Sequence, residues 1–276
     1  MSNSEPNQEY YAMHKEIAKK ILEHAGQVEF SNLELIEGVL QGHINSRRPL
    51  ASAIDVPVDM QQYRLFLKEI AGIIAKHQPQ QEMTVEAILS ALDTTTEFET
   101  LVEATKQFNQ FFFEDFSKRN ELNGSILQFL MEMAYRPYLK QFAKIVNPKI
   151  NLKNYHDGAC PVCGEQVRIV RGAEDGKREG CCTRCSTIWE INRLQCPHCK
   201  NNDHKKLKYL TIGEDENKKL YVCEVCKGYV KYVEMKDMLD KPDFFLIDLE
   251  TLYLDMVAIQ EGYGGDGQTD NTNTVV

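Results

Sequence analysis

The chain has 276 residues, 42% of them hydrophobic and 26% charged, which supplies a core and excludes a globally disordered protein. Its formal net charge of −9 argues against a protein that lives on phosphate backbones. All nine cysteines lie between Cys160 and Cys226, so the chain divides into a cysteine-free part and a cysteine-bearing part.

The N-terminus carries neither an apolar signal core nor a twin arginine. The most apolar stretch, 125–146, is interrupted by Glu132, Arg136, Lys140 and Lys144, so no membrane insertion is expected. A leaderless acidic chain is expected in the cytoplasm. Thiols stay reduced there, and paired cysteines point to metal or redox chemistry rather than structural disulfides.

Residues 1–150 read as an all-α domain. Tyr10, Met13, Ile17 and Ile21 form one apolar stripe at helical spacing. Ser31 followed by Glu34 is a capping-box signature for a helix carrying Leu35, Val39 and Leu40. Two prolines make 45–60 a loop, and Asp59 caps a helix with Phe66, Ile70, Ile73 and Ile74 inward. A short helix follows over 84–92. A stripe of Phe98, Leu101, Thr105, Phe108, Phe112 and Phe116 then predicts one helix with N-cap candidates at 93–96, its aromatics serving as core. The segment 125–146 is apolar on most faces, with Pro137 expected to kink or split it.

After a Pro- and Gly-punctuated connector the texture becomes β-prone. Short strand-like pieces at 166–172, 187–195, 206–212, 219–225 and 229–235 are separated by turns such as 172–180 and 213–219. Residues 236–263 predict an amphipathic helix with Leu249, Leu252, Tyr253, Met256 and Val257 inward, and 264–276 reads as a disordered tail. The fold class is therefore α+β.

Eight of the cysteines form four C-x-x-C pairs: Cys160/Cys163, Cys182/Cys185, Cys196/Cys199 and Cys223/Cys226. Each pair aims two sulfurs at one centre, and two pairs give the tetrahedral four-sulfur site that Zn2+ or a rubredoxin-type iron favours. Consecutive pairing yields two tandem ribbon modules, 151–194 and 195–235; interleaved pairing yields a cross-braced module. The expectation is two metal ions per chain, Zn2+ or Fe, each held by four cysteines, through Cys160, Cys163, Cys182, Cys185, Cys196, Cys199, Cys223 and Cys226. Metal supplies the stability that so small a core lacks, on the order of 10–16 kcal/mol for a structural zinc.

In the first knuckle Pro161 holds the turn and Gly164 allows a positive φ; Lys200 takes the glycine position in the third, and Gly228 comes one place late in the fourth. Residues 151–235 carry 15 basic and 12 acidic side chains, but eight thiolates with two divalent ions turn that balance to about −1, which weakens a nucleic-acid reading. Cys181 reads as a small buried residue and His198 as pointing outward, while His156 and His204 flank knuckles whose sites four cysteines already close. No catalytic constellation is visible: neither a Ser/His/Asp order, a P-loop, a Rossmann glycine pattern nor HExxH.

The order of these motifs carries a resemblance. "CPVCG", then "CCTRCSTIWEINRLQCPHC" with Trp189 shortly after the second knuckle, then "CEVCKGYVKYVEMKD" and a helix ending "MVAIQEGY" resemble the formate dehydrogenase accessory protein FdhE family. The likeness covers 125–263 in its motifs and the residues before that in architecture alone. The glycines after the later knuckles and the family's ending are missing here. The resemblance implies a non-enzymatic factor that acts in the cytoplasm on the catalytic subunit of formate dehydrogenase, before its assembly and any export. It also implies rubredoxin-like metal centres at the eight cysteines named above. Whether the protein forms a homodimer is left open. A rubredoxin-like redox protein and a zinc-ribbon adaptor of nucleic-acid machinery are the alternatives.

Overall fold

The computed structural model describes residues 8–30, 33–173, 176–212, 217–235 and 243–264. Contacts divide the chain into two compact units. Among the described residues, one holds 8–33 with Asp55–Phe142; the other holds Glu34–Ile54 together with 143–264. Among the described residues no helix is long and apolar enough to cross a membrane.

The first unit is helical: α1 (Gln8–Ala25), α4 (Met60–His77), α5 (Glu82–Thr94), α6 (Phe98–Lys106), α7 (Gln110–Arg119) and most of α8 (Gly124–Val146). The stripe of α1 buries Met13, Ile17 and Ile21 as its spacing predicts. Asp59 does cap α4, accepting from the Gln61 and Gln62 amides, and Phe66, Ile70, Ile73 and Ile74 are buried. Lys76 and His77 in the last turn of α4 both reach Glu16 of α1 at 2.8 Å. At the centre, the fully buried Tyr63 hydroxyl donates to the Met131 carbonyl of α8.

The aromatic stripe at 98–116 is not one helix. Phe108 adopts φ 54° and is 41% exposed, so α6 stops before it and α7 begins after the Asn109 cap. The break resets the phase, and Phe113, rather than Phe112, enters the core with Phe116. The cap residue of α6 is Glu97, held by the Thr95 hydroxyl through its amide at 3.0 Å. Pro137 sits inside α8 without splitting it.

The second unit takes in α2 (Glu37–Asn45) and α3 (Leu50–Ala53), which the sequence had placed with the helical part. Helix α2 begins at Glu37 without a side-chain cap, so Glu34 and Leu35 precede it; Ser31, the expected cap, lies outside the described residues. The body of the unit is one six-stranded sheet of β1 (Ile169–Gly172), β2 (Arg178–Cys181), β3 (Ile188–Ile191), β4 (Leu207–Thr211), β5 (Lys218–Cys223) and β6 (Tyr229–Val233). Its order is β3-β2-β1-β6-β5-β4. Two antiparallel three-stranded ribbons thus merge through one parallel pair, Ile169 opposite Lys231 and Val170 opposite Tyr232.

Strand β2 was read as part of a turn. Gly180 gives it little strand propensity, but a Cβ there would stand 3.0 Å from the Trp189 ring, which occupies the vacated space. The turn at 213–216 and the tail from 265 lie outside the described residues, as do 236–242 at the start of the expected C-terminal helix.

That helix divides in two, α9 (Phe244–Glu250) and α10 (Leu252–Gln260), at Thr251, whose hydroxyl bonds back to the Ile247 carbonyl at 2.7 Å. The inward residues include Phe244, Ile247, Leu249, Leu254 and Ala258, with Tyr253 and Val257 packed against them as expected; Met256 is exposed. Both helices cover one face of the sheet. Lys231, 1% exposed, ties them down through Asp248 and Asp255, each at 2.6 Å. Asp255 also accepts from the Tyr229 hydroxyl at 2.8 Å. A buried charge so paired positions the helices more than it stabilises the fold.

Candidate metal centres

Each C-x-x-C turn closes in the same way. The amide of its first cysteine donates to the carbonyl five residues on: Cys160 to Glu165, Cys182 to Thr187, Cys196 to Asn201 and Cys223 to Gly228, at 2.8–3.0 Å. The residue after the second cysteine turns the chain back with a positive φ in every case: 84° at Gly164, 66° at Ser186, 61° at Lys200 and 58° at Lys227. The missing glycines therefore do not change the turn. Ser186, Lys200 and Lys227 bear a conformational cost of about 1–2 kcal/mol each that Gly164 escapes. Gly228 answers a different need, since a Cβ there would lie 2.9 Å from the His198 ring and 3.2 Å from Cys226 Sγ.

The turns pair consecutively. Cys160, Cys163, Cys182 and Cys185 bring their sulfurs within 4.8 Å of one another, as do Cys196, Cys199, Cys223 and Cys226, and each group can hold a metal ion. This excludes the cross-braced alternative. In the first cluster Cys160 and Cys185 approach to 3.5 Å and Cys163 and Cys182 to 3.4 Å; both contacts in the second are 3.7 Å. Four sulfurs and no other donor are the set that suits Zn2+ or rubredoxin-type iron.

Electrostatics show why a cation belongs there. Burial pushes the Cys160 and Cys163 thiols up. Burial acts on Cys185 too, but hydrogen bonds from Cys160, Cys163, Cys182 and the Thr187 hydroxyl outweigh it and hold that thiol well below its ordinary value. In the second cluster burial raises Cys196 and takes Cys226 to about 11. Cys223 is lowered: backbone amides of Cys226 and Val225 and the Cys199 thiol override its burial. The thiols that burial raises in each cluster resist ionising until a cation compensates the charge.

The clusters differ in their surroundings. All four sulfur residues of the first are buried, and α3 seals the turn: Leu50 and Ala51 amides donate to the Pro161 and Val162 carbonyls at 3.1 and 2.8 Å. In the second, Cys199 is exposed and Cys226 half-buried. The two regions touch at Gly158, where a Cβ would fall 2.1 Å from the Pro197 carbonyl oxygen. Asp157 adds ion pairs to Arg47 at 3.0 Å and Lys200 at 2.7 Å.

Sequence reasoning had no signal for the α3 contact or for Gly158, because both depend on residues distant along the chain. His198 does not point outward: Nε2 lies 3.0 Å from the Tyr229 carbonyl and burial holds its pKa below the ordinary value. Neither His156 nor His204 joins a cluster. Cys181 is buried among Ile169, Val233, Phe244 and Ile247, and burial raises its thiol, the behaviour of a core residue.

Comparison with known proteins points one way. Residues 194–270 match the family model described as FdhE, C-terminal domain. The chain is 27% identical over 199 residues to a protein named Protein FdhE homolog from Actinobacillus pleuropneumoniae serotype 3 (strain JL03), covering 70% of this chain. It spans only 61% of that relative's length. A Protein FdhE homolog from Rhizobium meliloti (strain 1021) is 28% identical over 112 residues, 38% of this chain and 36% of that protein. The crystal structure of the FdhE protein from Pseudomonas aeruginosa superposes with a TM-score of 0.60 over 95% of both chains at 18% identity, a likeness of fold.

Proposed function

We propose that this chain, whose residues 194–270 match the FdhE C-terminal domain, is a formate dehydrogenase accessory protein of the FdhE family, a cytoplasmic factor that binds the catalytic subunit and assists its maturation without catalysing turnover. The observation that carries this reading is the pair of four-cysteine clusters set in the family's motif order. Four protein sulfurs close a tetrahedral site and leave no position for a substrate or an activated water, which favours a binding role over hydrolytic chemistry. Cys160, Cys163, Cys182 and Cys185 hold one metal ion in this reading, and Cys196, Cys199, Cys223 and Cys226 the other. With Zn2+ they are scaffolds; iron would add one-electron chemistry.

Deleting the gene and assaying formate dehydrogenase protein and activity tests the proposal. Retained subunit with lost activity is the expected result. Normal activity with normal cofactor content, under aerobic and anaerobic growth alike, would sink it. The exposure of Cys199 favours a second reading, a rubredoxin-like redox protein, because an accessible sulfur offers a route for electrons. Iron absorption that bleaches reversibly on reduction of anaerobically purified protein would support that one.

A further inference from the structure

Within the first unit a cavity of about 100 Å³ opens where α1, the end of α4, the 3-10 turn Pro79–Gln81 and the first turns of α8 converge. Its floor is buried and apolar apart from one imidazole: Met13, His14 and Ile74 are 2–4% exposed. Three rings stand around it. The His14 ring lies 4.3 Å from that of Tyr10 and 5.5 Å from that of Phe129, edge to face in both pairs. The mouth is polar. Asn123 and Ser125 are exposed there, and Gln78 and Gln81 are half-buried.

The lining limits what can enter. Among the described residues, none that lines the cavity is acidic or basic except His14. Burial, with the nearby Arg136 charge, lowers that imidazole to about 4, so the walls are uncharged near neutral pH. An ion would leave water with no counter-charge to meet it. Size is the second limit. An engineered apolar cavity of about 150 Å³ takes benzene, so about 100 Å³ with an open mouth takes one six-membered ring and rejects a fused pair. Interiors pack closely, and a gap left between side chains this large forfeits contacts that a bound ring restores.

We propose that this cavity binds a single neutral aromatic ring bearing a hydroxyl, a phenol, with the ring among Tyr10, His14 and Phe129 and the hydroxyl held by the Gln78 and Gln81 side chains. Aromatic walls favour a flat ring that can meet them edge to face. A primary amide offers both a donor and an acceptor, which suits a hydroxyl that gives one hydrogen bond and takes another. Asn123 is the lesser candidate, because its Oδ1 already accepts from the Ile126 amide at 3.1 Å. The site lies in the unit without cysteines and does not depend on the accessory role proposed above.

The test titrates the metal-loaded full chain with phenol and follows the carbon-13 methyl resonance of Met13 together with the melting temperature. A saturable ring-current shift at Met13 and a rise in Tm are expected. Gln78→Leu/Gln81→Leu should weaken phenol about fivefold, the loss of one hydrogen bond, and leave toluene no weaker. Ile126→Trp, which fills the cavity from α8, should abolish the shift with helical circular dichroism retained; if that variant does not fold, the glutamine pair decides. The proposal is overturned if the phenol shift does not saturate, or if either folded variant binds phenol as tightly as the parent. It is overturned equally if 2-naphthol, benzoate or tetramethylammonium binds as tightly as phenol. A chain beginning at residue 8 should bind phenol as the parent does; tighter binding would make the preceding residues the occupant and overturn it too. Comparing p-cresol with N-acetyl-tyrosinamide distinguishes the sources. Tighter p-cresol supports a free small phenol; tighter tyrosinamide supports a tyrosine side chain of a partner protein.

Discussion

The two four-cysteine clusters share a local fold and differ in what lies around it. Both are built from identical turns, each closed by an amide reaching five residues ahead. The first is enclosed on all sides, with α3 hydrogen-bonded to its leading turn; the second leaves Cys199 exposed and Cys226 half-buried. The difference teaches that a C-x-x-C turn specifies how sulfurs converge, while their exposure is set by residues far off in sequence.

The largest consequence concerns ligand loss. Cys160→Ser places a hydroxyl where a fully buried sulfur closes the first cluster. Metal binding there accounts for roughly 10 kcal/mol or more of folding free energy, so the variant should lose one metal and the strands β1–β3. Cys199→Ser at the exposed position should weaken its site and leave β1–β3 folded. Elemental analysis with amide hydrogen exchange checks both, against two metals per chain in the parent. Equal unfolding by the two substitutions would erase the contrast.

Chelation probes the same contrast in time. A high-affinity chelator added to the parent should remove the second metal first, since a competing ligand reaches only the cluster with an exposed sulfur. Two kinetic phases of metal release are expected, the slow one tied to opening of the α3 contact. Helical circular dichroism should largely survive both phases, because the helices of the first unit bury their own Phe, Leu and Ile stripes and contain no cysteine. A single phase would show the clusters to be equally guarded.

These contrasts also mark how far the sequence could be read. The eight cysteines and the strands at β1 and β3–β6 follow from spacing and β-propensity, which act within a few residues; which turns share a centre does not, and comes from the fold. Three readings fail for lack of a local signal. Strand β2 exists because Trp189 fills the space that Gly180 leaves. Helix α7 changes phase because Phe108 adopts a positive φ that no periodicity reveals. Residues 34–54 join the cysteine unit because two of their amides meet carbonyls more than a hundred residues away.

Cys181 supplies a smaller test. It neighbours a cluster residue yet packs in an apolar group with Ile169 and Val233, its sulfur 4.0 Å from the Glu179 carbonyl. Cys181→Ser should keep two metals per chain and lower stability by about 1–3 kcal/mol, the cost of burying a hydroxyl in an apolar site. Loss of either metal would make Cys181 a ligand and redraw the first cluster.

The smallest effect compares one backbone position in the two clusters. Gly164 and Lys200 both follow the second cysteine of a turn, at φ 84° and 61°. Gly164→Ala introduces left-handed strain and a Cβ 3.2 Å from Pro49 Cγ, at the point where the loop before α3 meets the first cluster. A loss of about 1–2 kcal/mol follows from strain alone. Lys200→Gly relieves the same strain in the second cluster. It gives up the ion pair to Asp157, but that lysine is 54% exposed, and an exposed pair contributes about 0–1 kcal/mol. The net expectation is a gain of roughly 0.5 kcal/mol. Thermal melts of the metal-saturated variants should therefore move in opposite directions. Shifts of the same sign would mean that the turn after the third pair is not strained by its lysine, and that the two clusters diverge in backbone as well as in surroundings.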